Sequence, residues 1–490
     1  MRHLIPICGL LLGVAVAGPL LANETKLKFA EEASASGSID GAVEARSSQA
    51  ADGTDRLFDR RPLLLAQGSR DALFGTDAAA EEKSKVRLSG FVEGLLAYTY
   101  EDPTHWSRAV GRLQLMAQGE LADEVKWKLS GRVDADLVYF NSDFYPRAVR
   151  HDQRADFFFK ENYLDFSSGP WSFRLGAQQI VWGEVVGLFF ADVVSARDMR
   201  EFLLPSFDVI RIPQWAARAE YFADDDSHVE LIWIPVPVFD EIGKPGSEFY
   251  PAPLPSPVPD DIADLFRSPD RPSRSLAHSN FGIRANKVIS GWDLSAFYYR
   301  SFSTQPTFYR QPSQDPSLPF EFQPRYDRIW QAGGTLSKDL GEMVLRGEIV
   351  YTKGQGFSVA DLTAPQSVVE RSTFDYIVGL EFSLPRDTRV NVQAFQRVYS
   401  GGHGDLAIQN GSPGASLFVT TKLTDTLEPQ VLWIQYLNDG GGLIRPRLNW
   451  HAAPNLVVSA GVDIFTGPSD GYFGRYNNRD RVYTEFRYSF

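Results

Sequence analysis

Arg445, Arg447, Asn449 and His451 stand two residues apart in one run, and Arg389, Asn391, Gln393 and Arg397 share a face of another. In an extended chain this spacing gathers each set on one side, because successive side chains point to opposite faces. Arg174, Arg218, Glu220, Arg346 and Glu348 sit in runs of the same kind. Arginines and carboxylates repeated along a polar face can pair into ladders, solvate a wall, or guide a charged or amphipathic solute. Residues that could make or break covalent bonds are scarce. The one cysteine, Cys8, lies in the first apolar run, so the rest of the chain has no thiol nucleophile, thiolate metal site or disulfide. The seven histidines (His3, His105, His151, His228, His278, His403 and His451) show no Ser/His/Asp or metal-ligand spacing. The expectation is therefore no enzyme, with no catalytic residue, no metal and no cofactor.

The opposite faces of these runs are apolar. Tyr376, Val378, Leu380 and Phe382 alternate with Asp375, Glu381 and Ser383, and Val390, Val392, Ala394 and Val398 alternate with the Arg389 set. A strand with one apolar and one charged face suits a wall between lipid and a polar lumen, since charge on the lipid side is costly. The last stretch, Arg479 to Phe490, shows the same alternation. Phe486, Tyr488 and Phe490 fall on its apolar face, with no tail beyond. That ending resembles the assembly signal of bacterial outer-membrane barrels, in which the closing strand pairs with the first.

Composition agrees. Aromatics make up 13% of the chain while mean hydropathy is −0.23, and no stretch reaches the roughly 20 unbroken apolar residues of a spanning helix. A formal charge of −13 disfavours nucleic acid as a partner. Residues 1–22 read as a signal peptide: Arg2 and His3, an apolar run, then small residues at Ala17 and Ala22. Residues 23–85, rich in Ala, Ser, Gly, Asp and Glu, read as a disordered periplasmic arm. Residues 86–490 read as an outer-membrane β-barrel.

Strand patterns recur from Val86 onward, about 18 in all, joined alternately by tight turns and by longer loops. One of them is placed at Glu124–Asn141. The proline-rich segments Phe239–Leu276 and Ser303–Arg325 read as exposed outer loops. Gly183 to Arg211 differs, having few prolines and a run, Asp192–Phe202, that suggests a short helix. A wide barrel cannot fill its lumen from wall side chains alone. This segment is therefore expected to fold inward as a constriction loop built on Trp182, Gly183, Glu184, Asp192, Asp198, Arg200 and Glu201. Arg200 and Glu201 are expected to tie it to lumen charges such as Arg174 or Glu220. The fold expected is an all-β transmembrane antiparallel barrel with an inward-folded loop and a disordered N-terminal arm.

Gly176-x-Gln178-x-Ile180-Val181-Trp182-Gly183-Glu184, followed by Asp192-Val193-Val194 and Asp198-Met199-Arg200-Glu201-Phe202, is similar to the signature of a bacterial outer-membrane family, domain of unknown function 1302. Ala196 departs from it, standing where the family pattern has proline. The resemblance implies an outer-membrane location and a link to export or lipid-handling systems of the resistance-nodulation-division type, and it implies no substrate. Lining charges and inward loop together favour a channel or transport barrel for a polar, charged or amphipathic solute. Its partners would be outer-membrane lipid and lipopolysaccharide, the barrel-insertion machinery and a periplasmic transport partner. A surface adhesin or receptor, suggested by the proline-rich loops, and an outer-membrane enzyme are the alternatives.

Overall fold

In this computed structural model the described residues are 86–122, 124–185, 190–251, 264–361 and 363–490. The expected signal peptide and arm lie outside them.

The first strand, Val86–Thr99, pairs antiparallel with His105–Ala122 on one side and with the last, Arg481–Ser489, on the other. The sheet is therefore closed. It holds 19 strands, two of which, Ala155–Phe159 and Asn162–Ser168, share one position beside Val125–Asp136, giving an 18-stranded antiparallel barrel. Closure leaves no free edge to aggregate. At the seam Phe490 and Gly90 exchange backbone hydrogen bonds of 2.8 and 2.9 Å. The Phe486 ring lies over Gly94, where an added Cβ would come within 2.1 Å of it, so glycine here makes room for the closing aromatic.

Alternation sets the two surfaces. In Asn280–Ile289, Phe281 and Ile283 are exposed on the outside while Asn280 and Arg284 are buried within. Trp106, Trp215, Trp292, Trp433, Trp450, Phe486 and Phe490 all show their rings on the exterior. At about 25 cal/mol per Å² such a girdle is costly in water and favourable in a bilayer.

One end of the barrel carries short turns. Ser290-Gly291 and Arg386-Asp387 have positive φ at both positions, as tight hairpin turns require. The other end carries the long connections, and several of these fold inward. There the structure departs from the sequence reading. Glu124–Asn141 does not run as one strand. It ends at Asp136, whose carboxylate caps a one-turn helix, Leu137–Asn141, by accepting from the Val138 N–H. The expected helix at 192–202 does not form: the chain is irregular to Ser195, Ala196–Arg197 pairs with Arg211–Ile212, and only Met199–Glu201 forms a 3₁₀ turn, capped by Asp198. Val193 and Val194 are β-branched, which disfavours a helix there. The segment Phe239–Leu276 is not simply an outer loop, because Phe239, Phe249 and Tyr250 are buried. Proline prevents regular structure but does not oppose burial, and these aromatics drive the chain inward.

The hydrophobic core consequently lies inside the barrel. One cluster joins Phe202, Leu204 and Ile210 to Phe249, Phe465, Phe473 and Tyr476. A second packs Ile180, Trp182 and Val194 against wall residues Ile232, Phe297, Tyr299 and Val350.

Candidate functional site: an inward loop and an aromatic chamber

After Trp171–Gln178 the chain leaves the wall. Trp182, 1% exposed, anchors the departure: its indole donates to Glu230 at 3.1 Å and packs against Phe297 and Tyr299. Gly183 follows because of crowding. An added Cβ would sit 2.9 Å from the Asp192 backbone nitrogen and 3.2 Å from Glu348 Oε1. Glu348, reaching in from Met343–Ser358, accepts backbone N–H groups from Glu184, Val185 (2.8 Å) and Ala191 (2.7 Å). One wall carboxylate thus satisfies the backbone donors of Glu184, Val185 and Ala191. Glu184 meets Thr335 at 3.1 Å and Arg284 at 3.6 Å, while Asp192 pairs with Arg211 at 2.9 Å.

The loop then crosses to the seam. Arg200 pairs with Asp198 of its own turn and with Asp156 of the wall. Glu201, buried, receives Arg108 at 3.0 Å and Arg481 at 3.3 Å, from strands beside the closure. Arg481 continues to Asp463, and Asp463 to Arg445. The expected partners Arg174 and Glu220 do not hold the loop. They lie in the wall the loop has left: Arg174 pairs with Asp165 of the adjacent strand and Glu220 with Arg218.

The other lumen charges pair chiefly between neighbouring strands: Arg346 with Glu381 (2.7 Å), Arg397 with Asp375 (2.6 Å), Arg447 with Glu485 (3.0 Å), and Arg218 also with Glu230 (3.4 Å). Arg389 stands opposite Ser383 and Thr420, close to the short-turn end. Phe486, Tyr488 and Phe490 are exposed on the outer face.

A second inward strut was not legible as a site. Glu248, in the proline-rich segment, accepts from Thr99, His105 and Tyr145 at 3.2, 3.0 and 2.7 Å, and Arg479 lies 3.7 Å away. Burial by itself would raise this carboxyl; the hydrogen bond from His105, the Arg479 charge and the Tyr145 hydroxyl outweigh it and bring it to about 2. Its signal in the sequence was only a Ser-Glu-Phe-Tyr run between prolines.

Among these inward loops, toward the long-loop end, lies a cavity of about 700 Å³. Phe202, Phe249, Phe308, Phe322, Tyr472 and Tyr476 form much of its wall, with Arg197, Arg397, Asp375 and Arg475 among the few charged groups. Most of these aromatics come from the proline-rich loops and from Gly471–Tyr476. Their convergence depends on packing over hundreds of residues, which local spacing does not encode. Chemically the chamber suits a ligand with a broad apolar surface and few polar groups. Among the described residues no cluster of His, Cys, Asp and Glu could hold a metal ion.

A search of solved structures finds OmpF of Salmonella typhi, in complex with daunomycin, at 10% identity and TM-score 0.42, covering 83% of this chain and 97% of that one. OccAB2 of Acinetobacter baumannii matches at 10% identity and TM-score 0.48, covering 83% and 98%. At these scores the likeness adds nothing to the architecture described above. No curated protein matches the chain. A family profile does match, over residues 141–490, and the chain thus belongs to DUF1302, a family described as protein of unknown function.

Proposed function

We propose that the protein is a bacterial outer-membrane barrel that takes up a small amphipathic molecule into its aromatic chamber and passes it along a lumen closed by the Gly183–Arg211 loop. The carrying observation is a chamber of about 700 Å³ walled largely by phenylalanine and tyrosine, inside a barrel whose lining charges are mostly paired with one another. A diffusion pore for ions or sugars gains nothing from such walls, whereas an apolar body loses its hydration cost on entering them. The apolar exterior supports a membrane setting, in which lipid, lipopolysaccharide and the insertion machinery would be its contacts. A periplasmic partner that supplies or accepts the solute completes the reading, in keeping with the export or lipid-handling link the family signature implies.

Fluorescence titration of the full chain in zwitterionic nanodiscs with the neutral probe 9-anthracenemethanol tests the reading. Saturable binding with a dissociation constant of about 1–100 μM is expected. Ala407→Trp, which fills the chamber from one side, should abolish it while heat-modifiability on a gel is retained. Probe uptake no greater than by empty nanodiscs would refute the reading.

A further inference from the structure

We infer that the chamber selects an anionic amphiphile, a carboxylate or similar oxyanion on an apolar body, with Arg475 as the cation that docks it. This rests on the chamber reading above and adds the polarity of the ligand's head group.

The charged groups on the chamber wall are not equivalent. Asp375 is held by Arg397 through two hydrogen bonds of 2.6 and 3.2 Å. Asp192 is held by Arg211. The wall carboxylates are thus already neutralised by arginine. Arg475 is placed differently. It lies in the short turn Gly474–Tyr476, and its guanidinium stands 4.8 Å from the Tyr476 ring centre, 5.3 Å from Tyr472 and 5.9 Å from Phe202. One Nη1 hydrogen bond of 2.8 Å goes to the Pro251 carbonyl. Its Nε is buried with no hydrogen-bond partner, and among the described residues no carboxylate pairs with it.

A guanidinium has five N–H donors in a rigid fork. Here three aromatic rings flank the guanidinium and the Pro251 carbonyl occupies one donor. The ring faces offset part of the cost of holding a half-buried cation but accept no hydrogen bond in the plane of the fork. An oxyanion does, and it can do so through two parallel bonds. The same rings that flank Arg475 also line the space an apolar body would fill. Head-group recognition and apolar contact therefore meet at one place, and a cationic head group would face repulsion there.

Three probes with one fluorophore test this on the full-length protein in zwitterionic nanodiscs: 9-anthracenecarboxylate, 9-anthracenemethanol and 9-(aminomethyl)anthracene. The carboxylate is expected to bind about tenfold or more tighter than the alcohol, as a charge-assisted hydrogen bond allows, and the ammonium weakest. In Arg475→Gln the carboxylate should fall to the level of the alcohol, and in Arg475→Lys part of the preference should return. Lys338→Gln, at the short-turn end, should leave the order as in wild type. Equal binding of carboxylate and alcohol to the wild type would overturn the inference while leaving the chamber reading intact. A preference that survives in Arg475→Gln would overturn the role of Arg475. Failure of all three probes to bind would remove the chamber reading itself.

Discussion

Glu201 holds two arginines, Arg108 and Arg481, that approach from strands beside the seam, so one carboxylate fastens the loop where the barrel closes. Each arginine keeps a second acid, Asp136 or Asp463, and the barrel does not depend on Glu201 for charge balance. Glu201→Gln should therefore cost about 1–3 kcal/mol of loop anchoring, not the whole fold. In planar bilayers the variant should show more frequent openings than wild type, with heat-modifiability intact. An unchanged opening frequency would mean that this bridge does not hold the loop in the lumen. Glu348 shows what could be read in advance at this scale. Alternation correctly turns it inward, but its partners are backbone N–H groups of Glu184, Val185 and Ala191, more than 150 positions away in the chain. Spacing reveals which way a side chain faces and not what it will meet.

Among the elements, the closing strand was the most legible, since period-two alternation is a local property that about 4–8 residues suffice to display. The receiving glycines of the first strand carry an equally local consequence. Gly94→Leu would drive a side chain into the space of the Phe486 ring and should impair closure more than Gly111→Leu, whose added Cβ has nothing within 4 Å. The fraction of heat-modifiable protein reports this, and equal yields of the two variants would contradict the account of the seam. The loops were much less legible. Helix, exposed loop and strand extension were expected at 192–202, 239–276 and 137–141. In each case burial of particular side chains decided otherwise: Val194 and Phe202, Phe249 and Tyr250, Val138 and Tyr139. The Gly183–Arg211 segment was nevertheless distinguishable by its few prolines. Replacing Val186–Pro205 with a short Gly-Ser linker should raise single-channel conductance severalfold in a barrel that still assembles. Unchanged conductance would show that the segment does not close the lumen.

For the molecule as a whole, an 18-stranded wall encloses more space than its own side chains fill. Inward segments occupy part of that space: a charged loop tied to the seam, and the connections that wall an aromatic chamber toward the long-loop end. The strand count and the two-sided wall follow from the composition and period of the chain. The chamber does not, because Phe202, Phe249, Phe308 and Tyr476 arrive from four separate connections. Anomalous diffraction from crystals of the full chain soaked with 9-bromoanthracene would place the bromine directly. A peak among Phe249, Phe308 and Tyr476, lost in Ala407→Trp, is the expected result. Bromine found only against the outer girdle, with the chamber empty, would contradict it.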